Sequence, residues 1–170
     1  ATQSICGRAS GDCAYAALSN WGFDSLGRLL AAPPPAGVVA GDMVALYCAR
    51  VKDGGNAGDV GTVYIGRVDE NDGAGIFFEL TQEGYPILDT DTSYAYAVRV
   101  PQYTNVEAQV NSRLWVTPWH DGGPGFVAIK CHQWEGAGRI DMTGAGCIGG
   151  STDFNGSVDT TYDSGTCRRW

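Results

Sequence analysis

Between residues 38 and 100, apolar and polar side chains alternate with a period of two, the spacing of strands half-buried on a sheet. In MVALYCARV, Val44, Leu46 and Cys48 fall on one side. In GTVYIGRVD, Val63, Ile65 and Arg67 oppose Tyr64, Gly66 and Val68. Tyr94, Tyr96, Val98 and Val100 alternate in the same way, and IFFEL supplies a further strand. Turn signals part these runs: Gly41-Asp42, a Gly/Asn/Asp stretch at 53–59, Asn71-Asp72-Gly73, and a loop around Asp89 and Asp91. The β-branched and aromatic content of the runs fits strands throughout.

After Pro101 the spacing tightens. It predicts strands at 105–110, 113–119, 125–132 and 138–143, with corners at Asn111-Ser112, 121–124 and Gly136-Ala137. No repeat period emerges. Upstream, residues 14–18 read as a first short strand. The only helix-like pattern is FDSLGRLLAA, with Leu26, Leu29 and Leu30 on one face and Asp24 placed as an N-cap. Gly27 weakens it, Pro33-Pro34-Pro35 ends it, and an extended reading serves nearly as well. The expected fold is therefore all-β: a jelly-roll-like sandwich or an irregular β-solenoid-like domain with at most one short helix. One domain spans 1–170, with a polar N-terminal arm at 1–12 and a polar C-terminal tail at 151–170.

Composition narrows the class. The chain carries a net charge of −8, and its one basic cluster is Arg168-Arg169, so the footprint of a nucleic-acid binder is missing. An acidic balance also disfavours anionic membrane surfaces, and no run approaches the roughly 18 apolar residues that span a bilayer. Charged residues make up only 18 % and lysine occurs twice, at Lys52 and Lys130, a bias shared by secreted β-proteins and by subunits that pack against neighbours. Six dispersed cysteines, Cys6, Cys13, Cys48, Cys131, Cys147 and Cys167, form no CxxC pair. Their even number predicts disulfides made in an oxidising compartment. The start at Ala1 fits a mature product after leader removal, and Asn155-Gly156-Ser157 is an N-glycosylation sequon.

Candidate chemistry is sparse. The two histidines, His120 and His132, with Asp121 and Glu135, would make a metal site only if their strands converged, and residues three apart on a strand face opposite ways. There is no GxSxG elbow, and Cys131 and His132 are neighbours in sequence only. A glycosidase needs two carboxylates across a cleft, and sequence cannot select a pair. Asp69 to Gly73 and Asp89 to Asp91 crowd oxygens and so raise calcium, but they read better as Asx turns. The GxGxxGG within 136–150 lacks the strand–helix setting of a dinucleotide site. Among the tryptophans, Trp115 reads as core, while Trp119 and Trp134, beside glycine corners, are candidates for a sugar-stacking platform. Trp170 lies at the end of the tail. The residues give no reason to expect an enzyme, a cofactor or a resident metal.

One wider pattern covers about 38–150: Gly41, Asp42 and Val44; RVPQYTNV at 99–106; Trp119; Gly122-Gly123; Val127-Ala128; and Ile140-Asp141 followed by Gly144, Gly146, Gly149 and Gly150. It resembles a β-rich, glycine-rich module of large secreted bacterial surface proteins of the adhesin kind. The resemblance implies an exported structural or adhesive part and brings no catalytic residues with it. This chain departs from the pattern in its shortness, its cysteines, and its stop soon after Gly150, which favours a stand-alone subunit. The expected function is thus a secreted, self-assembling subunit of a surface fibre, associating through its terminal arms. A carbohydrate- or receptor-binding module is the alternative, and a small secreted hydrolase the second.

Overall fold

The computed structural model describes residues 2–4, 14–52, 59–78, 89–91, 93–115, 123–143 and 145, with backbone alone at 2–4 and 115. Among the described residues twelve strands run in chain order: β1 (Thr2–Ser4), β2 (Tyr15–Ala17), β3 (Asn20–Phe23), β4 (Leu29–Ala32), β5 (Met43–Val51), β6 (Val63–Asn71), β7 (Ile76–Phe78), β8 (Ser93–Val100), β9 (Gln102–Ala108), β10 (Arg113–Trp115), β11 (Lys130–Gly136) and β12 (Arg139–Asp141). The protein is all-β, with no α-helix among the described residues.

The alternating region forms one antiparallel sheet of seven strands in the order β2-β8-β5-β6-β7-β4-β3. Strand β6 belongs to both halves of it. Residues 63–67 pair with β5, whereas Val68, Glu70 and Asn71 pair with β7 across a register shift. The loop before β5 fits against this bend: Gly41 N donates to Val68 O and Val68 N to Asp42 O, both at 2.8 Å. Its two edge strands, β2 and β3, are separated in sequence only by Leu18 and Ser19, so the sheet must curl to bring them together. Among the described residues hydrogen bonds do not close it into a barrel.

The helix-like stretch is a hairpin. Trp21 pairs with Ala31 and Phe23 with Leu29. Asp24 caps the turn rather than a helix, its Oδ1 accepting from the amides of Leu26 at 2.9 Å and Arg28 at 2.8 Å. Gly27 takes φ +78°, the left-handed region open to glycine. Leu29 and Ala31 then face the core with a period of two, and Leu26 is left exposed at the tip. The core inside the curl gathers Trp21, Leu29, Val44, Leu46, Val68, Ile76 and Phe78, with Tyr64 edge-on to Phe78 at 5.4 Å.

A second cluster lies on the other face of the sheet. It joins Ala49, Tyr96 and Val98 to Tyr15, Tyr47 and Phe126, and the Tyr47 and Phe126 rings stack at 4.8 Å. Phe126 comes from the segment that leads into β11, so this contact ties the sheet to the rest of the chain.

That remainder is parallel. β9 pairs with β11, from Gln102 beside Lys130 to Ala108 beside Gly136, an offset of 28 residues (102 to 130). β10 pairs with β12, Arg113 beside Arg139, an offset of 26 (113 to 139). β1 adds to the opposite edge of β10, also parallel, so part of the N-terminal arm is docked on its own domain. β9–corner–β10 and β11–corner–β12 are therefore two stacked rungs of a solenoid-like coil. Asn111, at φ 64°, turns the first corner, and Gly136, at φ +99°, the second. A Cβ on Gly136 would collide with the carbonyl of Ala108 beneath it. The observed strands 102–108 and 130–136 are shifted from those expected at 105–110 and 125–132, because parallel pairing rather than local pattern sets their ends.

Phe78 is 1 % exposed and carries the edge-on contact with Tyr64. Phe78→Ala is expected to destabilise the fold by about 3–5 kcal/mol in chemical denaturation, the cost of emptying an aromatic site in a packed core. A loss below about 1 kcal/mol would contradict this core assignment.

Candidate functional site

Strands β9 and β11 sort their side chains by alternation. One face holds Thr104, Val106 and Ala108 beside Trp134 and Gly136, with Lys130 and His132 further along. The other holds Tyr103, Asn105 and Glu107 beside Cys131, Gln133 and Glu135. Parallel sheets ordinarily have both faces covered. Here every β11 side chain except the half-buried Cys131 is exposed.

Burial changes from one rung to the next. In the lower rung Ala108 and Leu114 are each 8 % exposed. Directly above Leu114 in register, Ile140 is 44 % exposed, and Met142 and Trp134 are close to that value. Among the described residues, no strand pairs with the outer edge of β11 or of β12. Among the described residues the upper rung is thus an open end, its outer backbone edge unpaired and Ile140, Met142 and Trp134 exposed on it.

The charges around it are exposed or partly so. Arg113 Nε lies 3.2 Å from Asp141 Oδ2, linking the two rungs. Hydrogen bonds from Thr143, helped by Arg113, hold the Asp141 carboxyl below its ordinary value. On the far face Glu107 and Glu135 stand side by side, with stems about one strand spacing apart, roughly 4.8 Å. Gln133 Nε2 donates to Glu135 Oε1. These carboxylates share an open face rather than a cleft.

The expected site residues separate accordingly. Trp134 is an exposed β11 residue. His132 lies on the same strand but on the opposite face from Glu135, as alternation requires. Trp21 is core at 1 % exposure. Trp119, His120, Asp121, Asn155, Trp170, Cys6, Cys13, Cys147 and Cys167 lie outside the described residues, as do most of the arm and all of the tail.

Cys48 and Cys131 are free thiols, so the expected disulfides do not include them. Cys48 points into the core from β5, where burial pushes its thiol up to about 11. The acidic loops behave as Asx turns. Asp72 Oδ1 accepts from Ala74 N and Gly75 N, both at 2.8 Å, and those amides hold its carboxyl below the usual value. Asp89 Oδ1 accepts from Asp91 N at 2.9 Å. Among the described residues no group of three or more His, Cys, Asp or Glu is placed to hold a metal ion. No helix there is long and apolar enough to cross a membrane.

No protein-family model matches the chain, and no curated protein matches it. Two solved structures are similar in part. The tailspike protein gp49 from Pseudomonas phage LKA1 matches at 17 % identity and TM-score 0.33, over 68 % of this chain and 23 % of that one. The Gp54 tailspike of Acinetobacter baumannii bacteriophage AP22, in complex with A. baumannii capsular saccharide, matches at 11 % identity and TM-score 0.34, over 81 % of this chain and 23 % of that one. This chain spans less than a quarter of either protein. Likeness at this level carries no functional inference.

Sequence reasoning missed Ile140, Met142 and the Glu107–Glu135 pair. No periodic signal marks them, because the two offsets differ. The thiols give a direct check. In native protein at pH 8, about one Cys48 side chain in a thousand is thiolate, so iodoacetamide should leave Cys48 unmodified while Cys131 reacts. Cys48 should label after unfolding without reductant, read by peptide mass spectrometry. Recovery of Cys48 in a disulfide would contradict the buried free thiol.

Proposed function

We propose that this chain is an extracellular structural or adhesive subunit that associates with further copies of itself through the open end of its parallel coil. The observation carrying this reading is the uncovered upper rung. Ile140 is exposed where Leu114, its partner one rung below, is buried, and Met142 and Trp134 are exposed as well. An edge with no strand partner among the described residues, carrying exposed apolar side chains, is a ready template for another strand. The extracellular placement rests on the low charge, the dispersed cysteines and the adhesin-like pattern. The docked β1 moves the proposed contact from free arms to the coil itself.

Sedimentation velocity over a hundredfold concentration range should show mass rising with concentration, and Trp134→Ala should weaken the association. A chain that stays monomeric throughout rules the reading out.

Glycan recognition is a second reading, favoured by the exposed Trp134 alone. Under it, Trp134→Ala abolishes binding on a glycan array while leaving the association state of the protein unchanged. Array binding that survives the substitution excludes this platform.

A further inference from the structure

We infer that the outer edge of β12 takes β1 of a second copy, in parallel, so that copies stack head to tail. This rests on the self-association proposed above and assigns its geometry. The three-stranded sheet β1-β10-β12 is parallel at both steps and keeps three columns in register: Thr2–Arg113–Arg139, Gln3–Leu114–Ile140 and Ser4–Trp115–Asp141. Among the described residues β1 pairs with β10 alone, and β12 with β10 alone. One edge of the sheet is therefore the start of the stack and the other its end, running in the same direction. A second copy placed on β12 repeats the step already made twice within one chain, with Thr2 against Arg139, Gln3 against Ile140 and Ser4 against Asp141.

Charge and burial agree with that register. Arg113 and Arg139 already stack as like charges, with Asp141 drawn to Arg113 at 3.2 Å. Thr2, Gln3 and Ser4 bring no charge to the next layer. The added strand would lie over the half-exposed Ile140 as β12 lies over Leu114. A contact joining two different edges leaves one edge of each kind free, so it extends beyond a dimer, into a filament unless the rotation per step closes a ring.

The experiment uses the full chain carrying Arg139→p-benzoylphenylalanine, prepared unlabelled and uniformly 15N-labelled, mixed in equal parts and irradiated. The expected product is a cross-link of mixed isotope composition to the peptide containing residues 2–4. Association with mixed-isotope links to other peptides overturns this geometry and leaves the proposed function standing. Links within single chains, to residues 146–170 or elsewhere, show that the edge is covered by its own chain and overturn the inference. Absence of association overturns both. Ile140→Asp is the second variant, chosen because Ile140 is already 44 % exposed, so that a charge there is expected to leave the fold intact. It should weaken association at least about tenfold with an unchanged circular dichroism spectrum. Association as in the wild type counts against the β12 edge.

Discussion

Tyr47 and Phe126 stack at 4.8 Å on the outer face of β5, and the placement of the segment leading into β11 against the sheet follows from that face being covered. β5 lies between β6 and β8 and is buried on both sides. Val44, Leu46 and Cys48 point into the curl of the sheet, while Ala45, Tyr47 and Ala49 point outward. A strand with two apolar faces needs two partners. The curl supplies one, and the segment leading into β11 supplies the other through Phe126. The coil is therefore held against the sheet by the same burial that stabilises the central strand. Removing Phe126 would expose β5 and loosen the approach to β11 together.

The coil treats its two sides differently. On one face Glu107 and Glu135 stand next to each other, and like charges in register resist the approach of a further carboxylate-bearing strand. Exposed charge is also how edges avoid indiscriminate pairing. At the open end the residues are Ile140, Met142 and Trp134, which lose little by being covered. A surface repelling on one side and apolar at one end favours growth along a single axis. That asymmetry supports directional stacking better than lateral clustering.

How far these features were legible varied with the kind of contact. β6 follows from alternation because its one buried face writes a period of two into the strand, while β5 and β8, buried on both faces, are marked by apolar, β-branched and aromatic runs between turn signals. FDSLGRLLAA misleads because Leu26, Leu29 and Leu30 suit a helix face. The deciding features were Gly27 at positive φ and Asp24 accepting the amides of its own turn. In the coil, local pattern found the corners at Asn111 and Gly136 but not the partners. Parallel strands pair at a distance, here with offsets of 28 and 26 residues, and unequal offsets leave no repeat to detect. The neighbouring carboxylates of Glu107 and Glu135 could be seen only once that register was known.

Pro101 marks the change from one architecture to the other. It is buried between β8 and β9 and has no N–H to continue the antiparallel ladder, so the regular pairing of β8 with β5 ends at Val100. Its carbonyl accepts from Lys130 N at 3.0 Å, the contact that starts the parallel pairing of β9 with β11. A single residue thus ends one hydrogen-bonding pattern and anchors the next. From that point the chain gains strands by stacking upon itself rather than by reversing direction. Among the described residues the coil ends on a rung with no strand above it. A strand running in the same direction, as β1 does, would continue the parallel pairing at the β12 edge.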